Sequence, residues 1–142
     1  MVKFVKILLV LSWMTLIFAT STISFPDIDP EKKLTLYDYI FDKDVHIILY
    51  GVLAFLIISF LYQYPIKFRN AFYIAVLITI IYGISDEYHQ TFVGGREASI
   101  YDLLFDLIGG IIGTGVYCIW VDMKEKSYKM KKYAQYIHLR IR

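Results

Sequence analysis

Long apolar runs divided by short polar breaks dominate this chain. A helix needs roughly 17 to 25 apolar residues to cross a bilayer, and four runs meet that length, at about 4 to 25, 45 to 64, 70 to 92 and 99 to 121. Prolines mark the breaks: Pro26 and Pro30 follow the first run, and Pro65 opens the turn YPIKFRN between the second and third. The pattern predicts an all-α fold, an integral membrane bundle of four transmembrane helices. The first run starts with Lys3 and Lys6 and also fits a signal peptide cut near Ala19 to Ser21. Its apolar stretch is long for a signal core and carries Trp13, so a retained anchor is the stronger expectation.

Composition supports the membrane reading. With 58% hydrophobic residues, 18% aromatic residues and a mean hydropathy of +0.53, the 142-residue chain is too apolar for a soluble domain of its size. The net charge is only +2, and seven of the fifteen basic residues follow Asp122. The chain therefore divides into a transmembrane domain, 1–122, and a basic tail, 123–142, which fits the surface of an anionic leaflet or free solvent. Positive character that belongs to a tail rather than to a groove points away from nucleic acid as a partner. The lone Cys118 excludes an internal disulfide and a cysteine-based zinc site.

Lysine and arginine set the orientation. The N-terminus, the 65 to 70 turn and the tail carry eleven, while the 26 to 44 and 93 to 98 loops carry four, Lys32, Lys33, Lys43 and Arg96. The positive-inside rule then places both termini in the cytoplasm and those two loops outside. That topology brings sequence-distant polar groups to one membrane face. The second span enters there with Asp42, Lys43, Asp44 and His46, the third leaves there with Asp86, Glu87, His89 and Gln90, and the fourth enters with Asp102 and Asp106.

Helical spacing refines the grouping, because residues three or four apart share a face. Asp42, His46 and Tyr50 line one side of the second helix. Tyr82, Asp86, His89 and Gln90 line one side of the third, with Glu87 turned about 100° away. On the fourth, Asp102 and Asp106 lead into Gly109, Gly110 and Gly113. Gly109 and Gly113 form a small-xxx-small pattern that admits a close neighbouring helix, so the acidic stripe is expected to face inward. An unpartnered Asp at the centre of a span costs about 2.5 to 3.5 kcal/mol. These acids must be hydrated, protonated, paired with Arg96, Lys43 or His46, or bound to a cation. The cofactor that they admit is a divalent cation, with His46, Asp86, Asp102 and Asp106 as the ligand candidates.

The strings DKDVHIILYGVLAF, ISDEYHQTFVGGREASIYDLLFDLIGGIIG and, more weakly, SWMTLIFATST resemble the VanZ-like family of small membrane proteins. The resemblance covers roughly residues 10 to 120. Family members often have proline where Gly94 stands and asparagine where Asp106 stands. The resemblance implies a protein of the bacterial cytoplasmic membrane, in a family whose named member is linked to resistance to the glycopeptide teicoplanin. It implies no reaction. The residues it carries over, Asp42, His46, Asp86, Glu87, Gln90, Arg96, Asp102 and Asp106, come without roles.

Four functions fit these observations. The outer polar cluster binds a cell-envelope component, such as a lipid-linked wall precursor, with Arg96 suited to phosphate or carboxylate. Or it is the centre of a membrane-embedded, metal-dependent or acid–base enzyme acting on such a substrate. A proton or ion pathway is the third reading, and a purely structural polar network that fixes helix register is the fourth. No nucleophile motif, phosphate loop or HExxH sequence selects a reaction class.

Overall fold

A computed structural model describes residues 1–23, 36–94, 96 and 98–140, with the side chains of 36–42 and 134–140 outside the description. It contains four helices: α1 (Val2–Ser21), α2 (Leu36–Leu61), α3 (Phe68–Gln90) and α4 (Ile100–Arg140). All four are long and apolar enough to cross a membrane, and there is no strand among the described residues. The chain is an all-α, multi-pass membrane protein.

Side-chain contacts fix the arrangement. Lys6 Nζ donates to the Ser59 carbonyl and Trp13 Nε1 to the Leu49 carbonyl, so α1 runs antiparallel to α2. Tyr82 donates to the Met14 carbonyl and Ser21 to Asp86, so α3 runs parallel to α1. Near one end α2 and α4 meet through Lys43 and Asp102, and near the other Phe55 meets Tyr117 and Trp120, so these two helices are parallel. The end of α1, the start of α2, the end of α3 and the start of α4 therefore share one end of the bundle. The hydrogen bonds that α1 gives and receives make it part of the bundle. Trp13→Phe, which keeps an aromatic ring, though a smaller one, but removes the 2.8 Å bond to Leu49, is expected to lower stability by about 1 kcal/mol or more in detergent unfolding.

The distribution of polarity is that of a protein solvated by lipid. Thr79, Thr114 and Asp106 are fully buried, whereas Leu77, Ile81, Leu104, Ile111 and Ile119 are exposed. Each buried threonine hydroxyl bonds to the carbonyl four residues back, Thr79 to Ala75 and Thr114 to Gly110, so neither leaves a polar group unsatisfied. Aliphatic side chains facing outward provide a surface for acyl chains rather than for water. The apolar core is small: Leu53, Ile57 and Ile58 of α2 with Val10, Ile17, Ala71, Ala75 and Tyr117.

The tightest contact is the α2–α4 seam. A Cβ on Gly109 would lie 2.5 Å from the Ile47 carbonyl oxygen, and one on Gly113 would overlap the Gly51 carbonyl. Only glycine permits this backbone approach, which is the close packing expected from the Gly109–Gly113 spacing. The helix of Gly113 then continues well past the expected span. At 41 residues α4 rises about 60 Å, roughly twice the hydrocarbon thickness, and passes residue 122 without a break. The basic segment from 123 thus begins as a helical extension of the fourth span. Lys124 caps the face of Trp120, its Nζ 3.8 Å from the ring centroid.

The start of α2 also differs from the expectation. The helix begins at Leu36, upstream of 45, and Lys43 is a buried residue within it rather than a loop charge.

Candidate functional site

The polar residues of the shared end form three adjoining groups, the first two built around one buried carboxylate each and the third around two. The first is centred on Asp86 of α3. Its Oδ1 accepts from the Ser21 hydroxyl at 2.7 Å, and its Oδ2 accepts from the Tyr50 hydroxyl at 3.1 Å and the Gln90 amide at 3.2 Å. Three helices thus hold one carboxylate with three neutral donors. Neutral donors of this kind keep a carboxylate satisfied in an apolar surround.

The second group is the ion pair of Lys43 with Asp102, both buried. It joins the first turn of α4 to α2. In a low-dielectric setting such a pair holds only while both partners are present.

The third group brings α2, α3 and α4 together. His46 Nδ1 is 2.8 Å from Asp106 Oδ1, and the imidazole stacks on Tyr50 one turn along α2, with the two planes 3° apart. Glu87 comes from α3 and its Oε2 accepts from the Ser99 backbone N–H at 2.7 Å, tying the end of α3 to the residue just before α4. The other oxygens of this group, Glu87 Oε1 and Asp106 Oδ2, are buried and have no hydrogen-bond partner among the described residues. One donor atom each from His46, Glu87 and Asp106 fall within 4.8 Å of one another.

Between the first and third groups lies a cavity of about 70 Å³, with Ser21, His46, Tyr50, Asp86, Gln90 and Arg96 on its wall. At about 30 Å³ per water it holds roughly two waters or one small polar group. Arg96 donates to the Ile23 carbonyl at 3.1 Å, which draws the α3–α4 turn over the end of α1. His89 lies at the rim, 3.2 Å from the Thr22 hydroxyl and against the Phe18 ring.

The structure therefore collects His46, Asp86, Glu87, Gln90, Arg96, Asp102 and Asp106 at one end of the bundle. Asp42 lies on α2, but its side chain is outside the described residues. Among the four ligand candidates read from sequence, His46 and Asp106 adjoin each other, whereas Asp86 is surrounded by its own donors and Asp102 is paired with Lys43. Glu87, placed by spacing on a different face from Asp86, takes the position beside His46 and Asp106. Ser21 was not anticipated, and a serine at the end of an apolar run gives no signal of its own. Gly83 was also missed. A Cβ there would lie 2.8 Å from Asp106 Oδ2, so the absent side chain makes the room in which that oxygen sits.

This arrangement lies within a segment of the chain that matches a known family. The sequence profile of the VanZ/LLP1 family matches residues 4–121. The chain belongs to the VanZ/LLP1 family. The match spans all four membrane crossings and every group of the site, and it ends where α4 leaves its apolar part. No curated protein and no solved structure matches this VanZ/LLP1 chain.

Proposed function

We propose that this VanZ/LLP1 protein resides in the bacterial cytoplasmic membrane with both termini inside, and that its polar end faces the cell wall and binds the anionic head of a lipid-linked envelope component. One observation carries the reading: polar groups from α1, α2 and α3 converge on a small cavity with Arg96, of the α3–α4 turn, on its wall. The cavity accepts a single group, so a larger ligand would place one phosphate or carboxylate there and leave its remainder in the outer leaflet. Guanidinium is suited to such an oxyanion, because it presents several donors in a fixed plane. Binding a wall precursor in this way would change the exposure of the target of teicoplanin, the property that the family resemblance suggests.

Arg96→Ala is expected to weaken binding of purified protein to vesicles containing a polyprenyl diphosphate lipid by about tenfold or more, the loss of one charge-assisted contact. In a strain whose teicoplanin tolerance depends on this gene, the same variant, correctly inserted, is expected to restore susceptibility. Equal binding and equal tolerance in the variant and the parent would reject the reading.

A second reading, an enzyme acting on the same class of lipid, draws support from the His46–Asp106 pair. A buried carboxylate at Nδ1 holds an imidazole in one orientation and tautomer, as a general base requires. Turnover of the polyprenyl diphosphate, followed by lipid extraction, separates catalysis from binding.

A further inference from the structure

We propose that His46, Glu87 and Asp106 form a binding site for one divalent transition-metal ion of the zinc type. The proposal is independent of what occupies the neighbouring cavity.

Glu87 and Asp106 are 7% and 0% exposed, and each turns one carboxylate oxygen to a place where no described residue donates a hydrogen bond. An acceptor stranded in this way within a membrane costs about 1 to 3 kcal/mol, more when charged, and natural proteins seldom leave two in one spot. Their remaining oxygens are placed, Glu87 Oε2 by the Ser99 N–H and Asp106 Oδ1 at 2.8 Å from His46 Nδ1, a hydrogen bond that an ion bound between the two side chains would replace. The two carboxyl groups are thus oriented, and the unsatisfied oxygens are the ones left over.

Position supports the same conclusion. Asp106 Oδ2 occupies the space that a side chain at Gly83 would fill, and Glu87 stands one helical turn beyond Gly83 on α3. With His46 on α2, three helices each contribute one group, and the donor atoms lie within 4.8 Å of one another. A tetrahedral ion with bonds of about 2.0 to 2.2 Å sets its ligands about 3.4 Å apart. His46 Nδ1 and Asp106 Oδ1 already stand within that spacing, and a small torsional adjustment of Glu87 about its Ser99 hydrogen bond brings in the third ligand.

Charge and ligand chemistry then select the ion. A neutral imidazole with two carboxylates carries a charge of −2, which a divalent cation cancels, leaving a neutral unit in a medium that penalises net charge. The nearby acids do not compete: Asp102 is paired with Lys43 and Asp86 is held by three donors. Imidazole favours zinc and its neighbours over magnesium and calcium, which prefer oxygen ligands alone. Three protein ligands leave a fourth position, and His46 also lines the cavity, so a bound ion would adjoin the space assigned above to the anionic group.

The test uses the untagged full-length chain in detergent, loaded with Zn²⁺ alone, dialysed and assayed for metal. About one equivalent per chain is expected for the wild type and for Asp86→Asn. Glu87→Gln and Asp106→Asn are expected to bind at least 100-fold more weakly, since loss of an outer partner alone costs about 10 to 100-fold. Excess Mg²⁺ is expected not to displace Zn²⁺. Because a variant can fail by misfolding, the wild type is also loaded with Co²⁺, and an intense low-coordinate visible spectrum is expected. Wild-type protein that retains no Zn²⁺, a six-coordinate Co²⁺ spectrum, or well-folded Glu87→Gln that retains Zn²⁺ as tightly as the wild type would each overturn the proposal.

Discussion

Gly113→Ala is expected to destabilise the bundle by about 3 kcal/mol relative to Gly115→Ala, although the two substitutions add the same methyl group to one helix. Alanine gains up to about 1 kcal/mol over glycine in helix propensity at either position, so the comparison isolates packing. At Gly115 the added carbon meets nothing within 4 Å, and stability is expected to hold or rise slightly. At Gly113 it overlaps the carbonyl of Gly51, a backbone group within a helix that cannot rotate away. Overpacking against a movable side chain costs about 1 to 3 kcal/mol, and backbone against backbone lies at the upper end of that range. Reversible unfolding in mixed micelles, followed by tryptophan fluorescence, measures both variants. Equal stabilities would show that α2 and α4 are not in backbone contact.

The second large effect is expected at Asp86. Asp86→Ala leaves the hydroxyls of Ser21 and Tyr50 and the amide of Gln90 without their acceptor. At about 1 to 3 kcal/mol for each unsatisfied donor, with water in the adjacent cavity relieving part of the loss, the net cost is about 3 kcal/mol. Asp86→Asn keeps one acceptor oxygen and is expected to lose roughly half as much. The network also makes these residues interdependent. Asp86→Ala combined with Tyr50→Phe is expected to cost less than the sum of the single changes by about 1 kcal/mol or more, because the second substitution removes a donor that the first had stranded. Additivity within about 0.5 kcal/mol would mean that the contacts carry little energy.

Much of this was legible in the sequence, because a membrane restricts a chain more severely than water does. The four spans follow from run length, with boundaries within a few residues for α1, α3 and the start of α4. The close seam follows from glycines four apart. The gathering of polar groups at one end follows from counting crossings, since successive spans must alternate in direction. What spacing alone did not resolve was how those groups sort among themselves. A 100° turn from Asp86 removes Glu87 from one face of α3, but α3 packs against α1 and α2 on one side and α4 on another, so both faces are buried. Lys43 read as a loop charge because lysine is seldom placed in a span, and its pairing with Asp102, 59 residues away, could not be read from spacing. The helix of α4 past residue 122 was obscured by charge: the apolar signal stops at the membrane edge, whereas the backbone continues.

The pairing of α2 with α4 also has a consequence in time. His46 is made 60 residues before Asp106. At about 5 to 20 residues per second, that is roughly 3 to 12 s of synthesis. Once α2 has left the ribosome and until α4 follows it, Lys43 and His46 lack their α4 partners. The polar end is therefore completed only when the last crossing is made, and a chain arrested before α4 keeps a finished second helix whose buried lysine and histidine have no counterpart on a fourth.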